Sequence, residues 1–204
     1  MTHHFRNSTP IRRPNRIVCK HYSSYLVTLR ADFNQRCGYC DDLDRLRIRS
    51  FTIDHFVPQN PDSFTHSISP NYYYNLVYAC RYCNGAKTNK WPTKDGTIHN
   101  DGKIGFIDPV NDTYTKLFKR SKLGKIIPSK KSELAEYIIE ELNLWLPIHE
   151  RMWKLERLKQ LNNQIKSRLS SFMDQELQNE LKALHYQVLV ELDAIQESIF
   201  VENE

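Results

Sequence analysis

The chain has 204 residues, with 29 Lys and Arg against 24 Asp and Glu, a formal net charge of +5 and 40% hydrophobic residues. That length allows one core of ordinary size and a smaller appended unit. No apolar run approaches the roughly 18 residues of a membrane span, and the basic N-terminus MTHHFRNSTPIRRPNR has no apolar stretch behind it, so a cytoplasmic protein with no membrane partner is expected.

Charge is unevenly spread. Residues 1–30 hold Arg6, Arg12, Arg13, Arg16, Lys20 and Arg30 with no acid, and Lys116 to Lys131 is a second acid-free basic stretch that includes Lys119, Arg120 and Lys122. Either can neutralise phosphates, or can be a plain solvated face. The last thirty residues carry seven acids against Lys182 alone among Lys and Arg, and should avoid nucleic acid.

Three regions follow in chain order. Residues 1–36 read as a basic N-terminal arm, extended around Pro10 and Pro14, leading into a short helix near Tyr22–Phe33. Residues 37–115 hold four of the five cysteines and most turn signals. There Arg45, Arg47 and Arg49 alternate with Leu46 and Ile48, so a strand would set all three arginines on one face, either to bind phosphate or to face solvent. Next comes TIDHFVPQN at 52–60, an extended segment with Pro58 near its end. Tyr72, Tyr73 and Tyr74 follow, one or two of them filling the core and stacking on an unpaired base being the other use. A helix beginning near Cys83 would set Lys87 one turn beyond Asn84 and within reach of a phosphate, although Gly85 weakens it by about 1 kcal/mol.

Residues 116–204 read as a basic linker and a helical region. Ser132 starts a helix carrying Leu134, Ile138, Leu142 and Trp145, which Pro147 ends or kinks. Two long apolar stripes then run from Ile148 to Leu169 and from Leu177 to Ile199, with Ser171 and Asp174 as a capping box between them. They predict an antiparallel helical hairpin whose stripes pack on each other, or in part dock a partner protein.

Cys37-Gly38-Tyr39-Cys40 and Cys80-Arg81-Tyr82-Cys83 form two CxxC knuckles. Thiols that stay reduced in this pattern point to a closed tetrahedral Zn2+ site, structural and not catalytic, over a redox pair. Cys19 is left without a role. The 39-residue gap between the knuckles is longer than a simple zinc ribbon needs, so it should hold a functional insert.

That insert contains Asp54-His55 and Asn75, with Asn84 just after the last cysteine. IDHFVPQ followed by YYNLVYACRYCNGAKTNK resembles HNH endonucleases with a ββα-metal finger clamped by paired CxxC knuckles. The resemblance spans roughly residues 37–92. It implies an α+β fold in which a small ββα finger is stapled by the four-cysteine zinc site, beside the N-terminal arm and the C-terminal hairpin. It also implies that His55 deprotonates the attacking water, that Asn75 holds the His55 segment, and that Asp54 and Asn84 bind the catalytic metal. Asn84 stands where the family name has His. A carboxamide oxygen suits Mg2+ or Mn2+, whereas imidazole also admits softer ions. His66 and His99 are rival ligands.

These residues favour a metal-dependent endonuclease acting on nucleic acid, DNA foremost and RNA also open, with Arg45, Arg47, Arg49, Lys119, Arg120 and Lys122 as candidate phosphate contacts. A zinc-stabilised nucleic-acid-binding module without catalysis is the alternative. The order of core, FIDPVND segment, basic stretch and long helices also resembles the stand-alone HNH proteins of bacterial anti-phage systems such as the Septu type, which work beside an ABC-type ATPase. A restriction-type or mobile-element HNH nuclease acting alone is the competing context.

Overall fold

A computed structural model describes residues 2–47, 50–171 and 174–201. The chain divides into two compact units, Met1–His149 and Glu150–Glu204. The first unit is α+β. In chain order it holds β1 (His3–His4), α1 (Leu26–Asp32), β2 (Thr52–His55), β3 (Leu76–Ala79), α2 (Arg81–Lys87), α3 (Asp112–Leu117), β4 (Phe118–Arg120), β5 (Ile126–Pro128) and α4 (Glu133–Glu141). The long α5 (Pro147–Leu169) starts at its end, and α5 with α6 (Gln175–Val201) makes up the second unit.

β2 and β3 pair antiparallel with Asp54 opposite Val77 and His55 opposite Leu76. α2 follows β3 directly. Its start is chemical as well as geometric: Cys80 is extended, and its sulfur accepts the N–H of Cys83, so the second knuckle is itself the helix N-cap. A β-hairpin and the helix after it therefore make the ββα finger. β1, β4 and β5 form a separate antiparallel sheet in the order β1-β4-β5, which ties the N-terminal stretch to a strand more than a hundred residues later. Phe5 is buried against Tyr114 and Phe118, and Arg6 donates to the Gly38 carbonyl at 2.7 Å.

One core joins these parts, including Leu29, Phe33, Tyr39, Leu76, Val77, Phe106, Tyr114 and Ile138. Each such aliphatic or aromatic side chain stabilises the fold by about 1.5–3 kcal/mol when fully buried. Gly38 belongs to this packing. A Cβ there would meet Phe33 at 2.7 Å and Val77 at 2.8 Å, so the first knuckle needs its small filler.

The expected short helix is present as a 3-10 turn (Tyr22–Tyr25) running into α1. Ser132 caps α4 by accepting the Ala135 N–H. Pro147 neither ends nor kinks α4. That helix stops at Glu141, Asn143 takes a left-handed conformation (φ 53°), and Pro147 opens α5, where its missing N–H costs nothing.

In the second unit α5 and α6 run antiparallel. Arg151 reaches the Ser198 carbonyl, Lys154 meets Glu191 and Asn162 meets His185, contacts whose numbers converge as the helices approach the turn. Met152, Leu155, Leu158 and Ile165 are buried with Val188, Leu192, Ile195 and Ile199. The cap of α6 is Asp174 alone, whose carboxylate accepts the Leu177 N–H; Ser171 bonds back to the Arg168 carbonyl and takes no part in a capping box. Among the described residues no helix is long and apolar enough to cross a membrane.

Candidate active site and metal centre

β2 ends at His55, and that ending settles how an adjacent acid and imidazole can share a site. Along a continuing strand their side chains would diverge. Here Asp54, His55 and Asn84 all line one polar cleft of about 230 Å³ with Pro58, Gln59 and Asn60 beyond the strand end.

Asn75 supplies the hold. Its Oδ1 accepts the Val57 N–H at 2.8 Å and its amide donates to the Val57 carbonyl at 2.9 Å, while its own carbonyl accepts the Phe56 N–H. Three hydrogen bonds thus fix the turn directly after His55. Asn75→Ala should orphan both buried backbone groups of Val57 and cost about 1–3 kcal/mol for each. Asn75→Asp keeps only the acceptor and should lie between, as urea unfolding of the three proteins would measure.

His55 presents Nε2 to the Pro70 carbonyl at 2.8 Å, and Gln59 Nε2 lies 2.9 Å from the same nitrogen, so the Gln59 carboxamide must turn its oxygen inward to share an Nε2 proton. A carbonyl takes only a donor, so Nε2 carries the proton in the neutral ring and Nδ1 keeps its lone pair. The Tyr22 ring sits edge-on to the imidazole at 4.8 Å. Burial lowers the His55 pKa from its ordinary value and Lys87 adds to this, while the Pro70 carbonyl and Asp54 oppose it.

Asp54 is buried between two partners. Tyr39 donates to Oδ2 at 2.5 Å, and the Lys87 ammonium lies 3.3 Å from Oδ2 and 3.5 Å from Oδ1. Burial pushes the carboxyl up, opposed by Lys87 and Tyr39, and burial likewise pushes the Lys87 ammonium down. Lys87 corrects the sequence expectation. It is wholly buried, and its ammonium also donates to the His55 carbonyl at 2.9 Å, so it braces the end of β2 from within and reaches no phosphate.

Asn84 donates its amide to Thr52 Oγ1 at 2.9 Å, and among the described residues its Oδ1 accepts no hydrogen bond. A carboxylate with one loosely engaged oxygen and a free carboxamide oxygen, on one cleft, form a hard oxygen donor set that fits Mg2+ or Mn2+. The rival histidines are otherwise occupied: His66 bonds the Pro58 carbonyl and the Ile68 N–H, and the His99 ring packs on Phe56 and Trp91.

The four cysteines Cys37, Cys40, Cys80 and Cys83 are buried with their sulfurs within 4.8 Å of one another. Burial pushes the Cys40 and Cys83 thiols up, and Cys37 is pulled down against burial by S–H bonds from the other three. Four thiolates this close repel one another, and a divalent cation such as Zn2+ is what lets them coexist. The knuckle and the cleft communicate through Tyr39, the filler of the first CxxC.

Among the described residues the expected arginine strand is not seen at Arg45 or Arg47. Residues 44–46 form a 3-10 turn, after which Arg45 is exposed while the Arg47 guanidinium is buried against Asp42 and lies 3.2 Å from His149 Nδ1; Arg49 lies outside the described residues. Arg120 is also no phosphate contact. Alternation along β4 turns it inward, where it donates to the Cys40, Gly124 and His149 carbonyls, whereas Lys119 is half-buried and Lys122 exposed. Asp42 is the shared counter-ion of this group and is held down at about 2, because Arg47, His149 and Arg120 outweigh burial. His149 is pushed up to about 10, its interactions with Cys40 and Asp42 outweighing burial. Sequence carried no sign of this cluster, since Asp42 and His149 lie 107 positions apart. Tyr39, Gln59 and the Pro70 carbonyl were likewise unmarked.

A ββα finger on a four-cysteine metal site, with acid, imidazole and two carboxamides at its hairpin, defines the ββα-metal class of nuclease domains. Residues 37–90, about a quarter of the chain, match the family model of the HNH endonuclease. Comparison with curated proteins finds no match, and comparison with solved structures finds none.

Proposed function

We infer that this protein is a metal-dependent endonuclease that hydrolyses phosphodiester bonds in nucleic acid, DNA foremost. The observation that carries the reading is the meeting of Asp54, His55 and Asn84 on one cleft, with His55 Nε2 set against the Pro70 carbonyl. In this reading Asp54 and Asn84 hold Mg2+ or Mn2+, which when bound supplies positive charge for the phosphate oxygens and the leaving group. His55 takes the proton of the attacking water at Nδ1, with Nε2–H anchored on Pro70 to hold the ring. Asn75 and Lys87 act as positioning residues. Arg45, Lys119 and Lys122 remain available to phosphates flanking the cut.

A non-catalytic binding module has one observation in its favour, the enclosure of Asp54 by Tyr39 and Lys87. Purified protein and His55→Ala incubated with plasmid DNA, single-stranded DNA and bulk tRNA, in EDTA, Mg2+ or Mn2+, separate the two. Cleavage that needs metal and fails in the variant is expected. Binding with no cleavage under any metal, alone or with co-purified partners, would establish the module instead.

The context that we favour is the nuclease component of a bacterial cytoplasmic anti-phage system working with an ABC-type ATPase. Supporting it are Leu177, Leu184 and Leu189, which remain exposed on α6. Co-purification of a large ATPase from the native host is expected, while a monomer that degrades DNA unaided would favour a restriction-type or mobile-element enzyme.

A further inference from the structure

Beside His55 the surface is aromatic, and the two segments that build it carry no carboxylate. Of the three consecutive tyrosines, Tyr73 is buried with its hydroxyl on Asp32, whereas Tyr72 is 52% and Tyr74 40% exposed, their rings 5.6 Å apart. Tyr22, 39% exposed, lies against the imidazole itself. These rings belong to one surface. The Asn71 side chain donates to the Lys20 carbonyl, the Asn15 N–H donates to the Tyr74 hydroxyl, and Pro70, two residues before Tyr72, holds His55. Residues 11–27 and 70–74, which build it, contain no carboxylate, and Arg16 and Lys20 add positive charge.

Tyr72 and Tyr74 pair in the open and Tyr22 lies at the imidazole, so flat aromatic faces are available to an occupant of the cleft. Because the patch begins at the imidazole, an occupant of it shares the cleft with the substrate, and the simplest occupant is the substrate. Polyanions are admitted by the missing carboxylates. Rings of this kind add binding only where base faces are open, since in a duplex each face is already stacked on its neighbours. We propose that Tyr72 and Tyr74, with Tyr22 at the cleft, form a stacking platform that makes unpaired nucleic acid the preferred substrate of this site. This rests on the endonuclease reading for the position of the cut but not for the binding itself.

The test is fluorescence anisotropy on the full chain in EDTA, where no cleavage is needed, with labelled oligothymidylate, the matching oligouridylate, a duplex of equal length and an abasic strand carrying the same phosphates. Binding to the unpaired strands should exceed binding to the duplex and the abasic strand. Tyr72→Ala and Tyr74→Ala should each weaken strand binding about 5- to 150-fold, with the duplex affinity unchanged and Tyr72→Phe close to wild type. Both rings are exposed, and an unchanged melting curve confirms that the variants fold. Equal affinity for strand and duplex, indifference to Tyr72→Ala, or no nucleic-acid binding at all would each overturn the platform. Oligouridylate against oligothymidylate separates RNA from DNA. Failure of the endonuclease reading looks different: the strand still binds tyrosine-dependently, but no metal yields a cut.

Discussion

Cys80→Ser, or removal of the knuckle's ion by a chelator, is expected to unfold the Met1–His149 unit. A structural zinc site contributes about 10–16 kcal/mol of binding free energy to folding in small zinc domains, against a total stability of about 5–15 kcal/mol for an ordinary domain. The loss is therefore comparable to the whole stability of an ordinary domain. Cys80 has a second duty, capping α2 through its sulfur, and a hydroxyl in its place keeps a cap while losing the ligand. The balance of charge adds to the cost. Arg47, Arg120 and His149 crowd near Cys40, so a neutral thiol cluster would leave Asp42 as their principal counter-charge. Thermal unfolding followed by circular dichroism, with bound zinc measured in the same samples, checks this. An apoprotein that melts where the holoprotein does would show the four thiols to be mere core residues. Because Tyr39 spans from the knuckle to Asp54, loss of the ion is expected to disturb the cleft as well.

Where chemistry is local, the sequence was a good guide. The CxxC pairs, the Asp54-His55 step at a strand end and the cap at Ser132 are each set by neighbours within a few residues. It misled where one local pattern has two uses. Alternation at Arg45 and Arg47 predicts a strand, yet the buried Asp42 captures Arg47 and the chain turns. Basic residues in an acid-free run predict a surface, yet the pleat of β4 sends Arg120 inward to carbonyls supplied by Cys40 and His149, 80 and 29 positions away. Lys87 looked like a phosphate ligand because one helical turn separates it from Asn84, but the same geometry aims its long stem beneath β2, where Asp54 needs a cation. Only tertiary context decides such cases, because a charge goes where an opposite charge already lies buried.

His55→Ala is expected to slow cleavage about 10²- to 10⁴-fold, the usual loss of a general base and worth about 3–5 kcal/mol of barrier. The pH dependence discriminates more sharply than the rate. Burial lowers the His55 pKa below its ordinary 6.5, so the neutral ring that can accept a proton is already the main form at neutrality and is lost only as pH falls through that lowered value. In the wild type kcat/KM should then climb with pH on the acid side and level off below neutrality. Residual cleavage by His55→Ala should lack that limb and track hydroxide concentration instead. His55→Gln offers the control for shape: it can still donate toward the Pro70 carbonyl but accepts no proton, so it should restore packing against Tyr22 without restoring rate. A variant that keeps the wild-type acid limb would assign the base to another group, and the exposed His99, packed on Phe56 and Trp91, would be the next residue to replace.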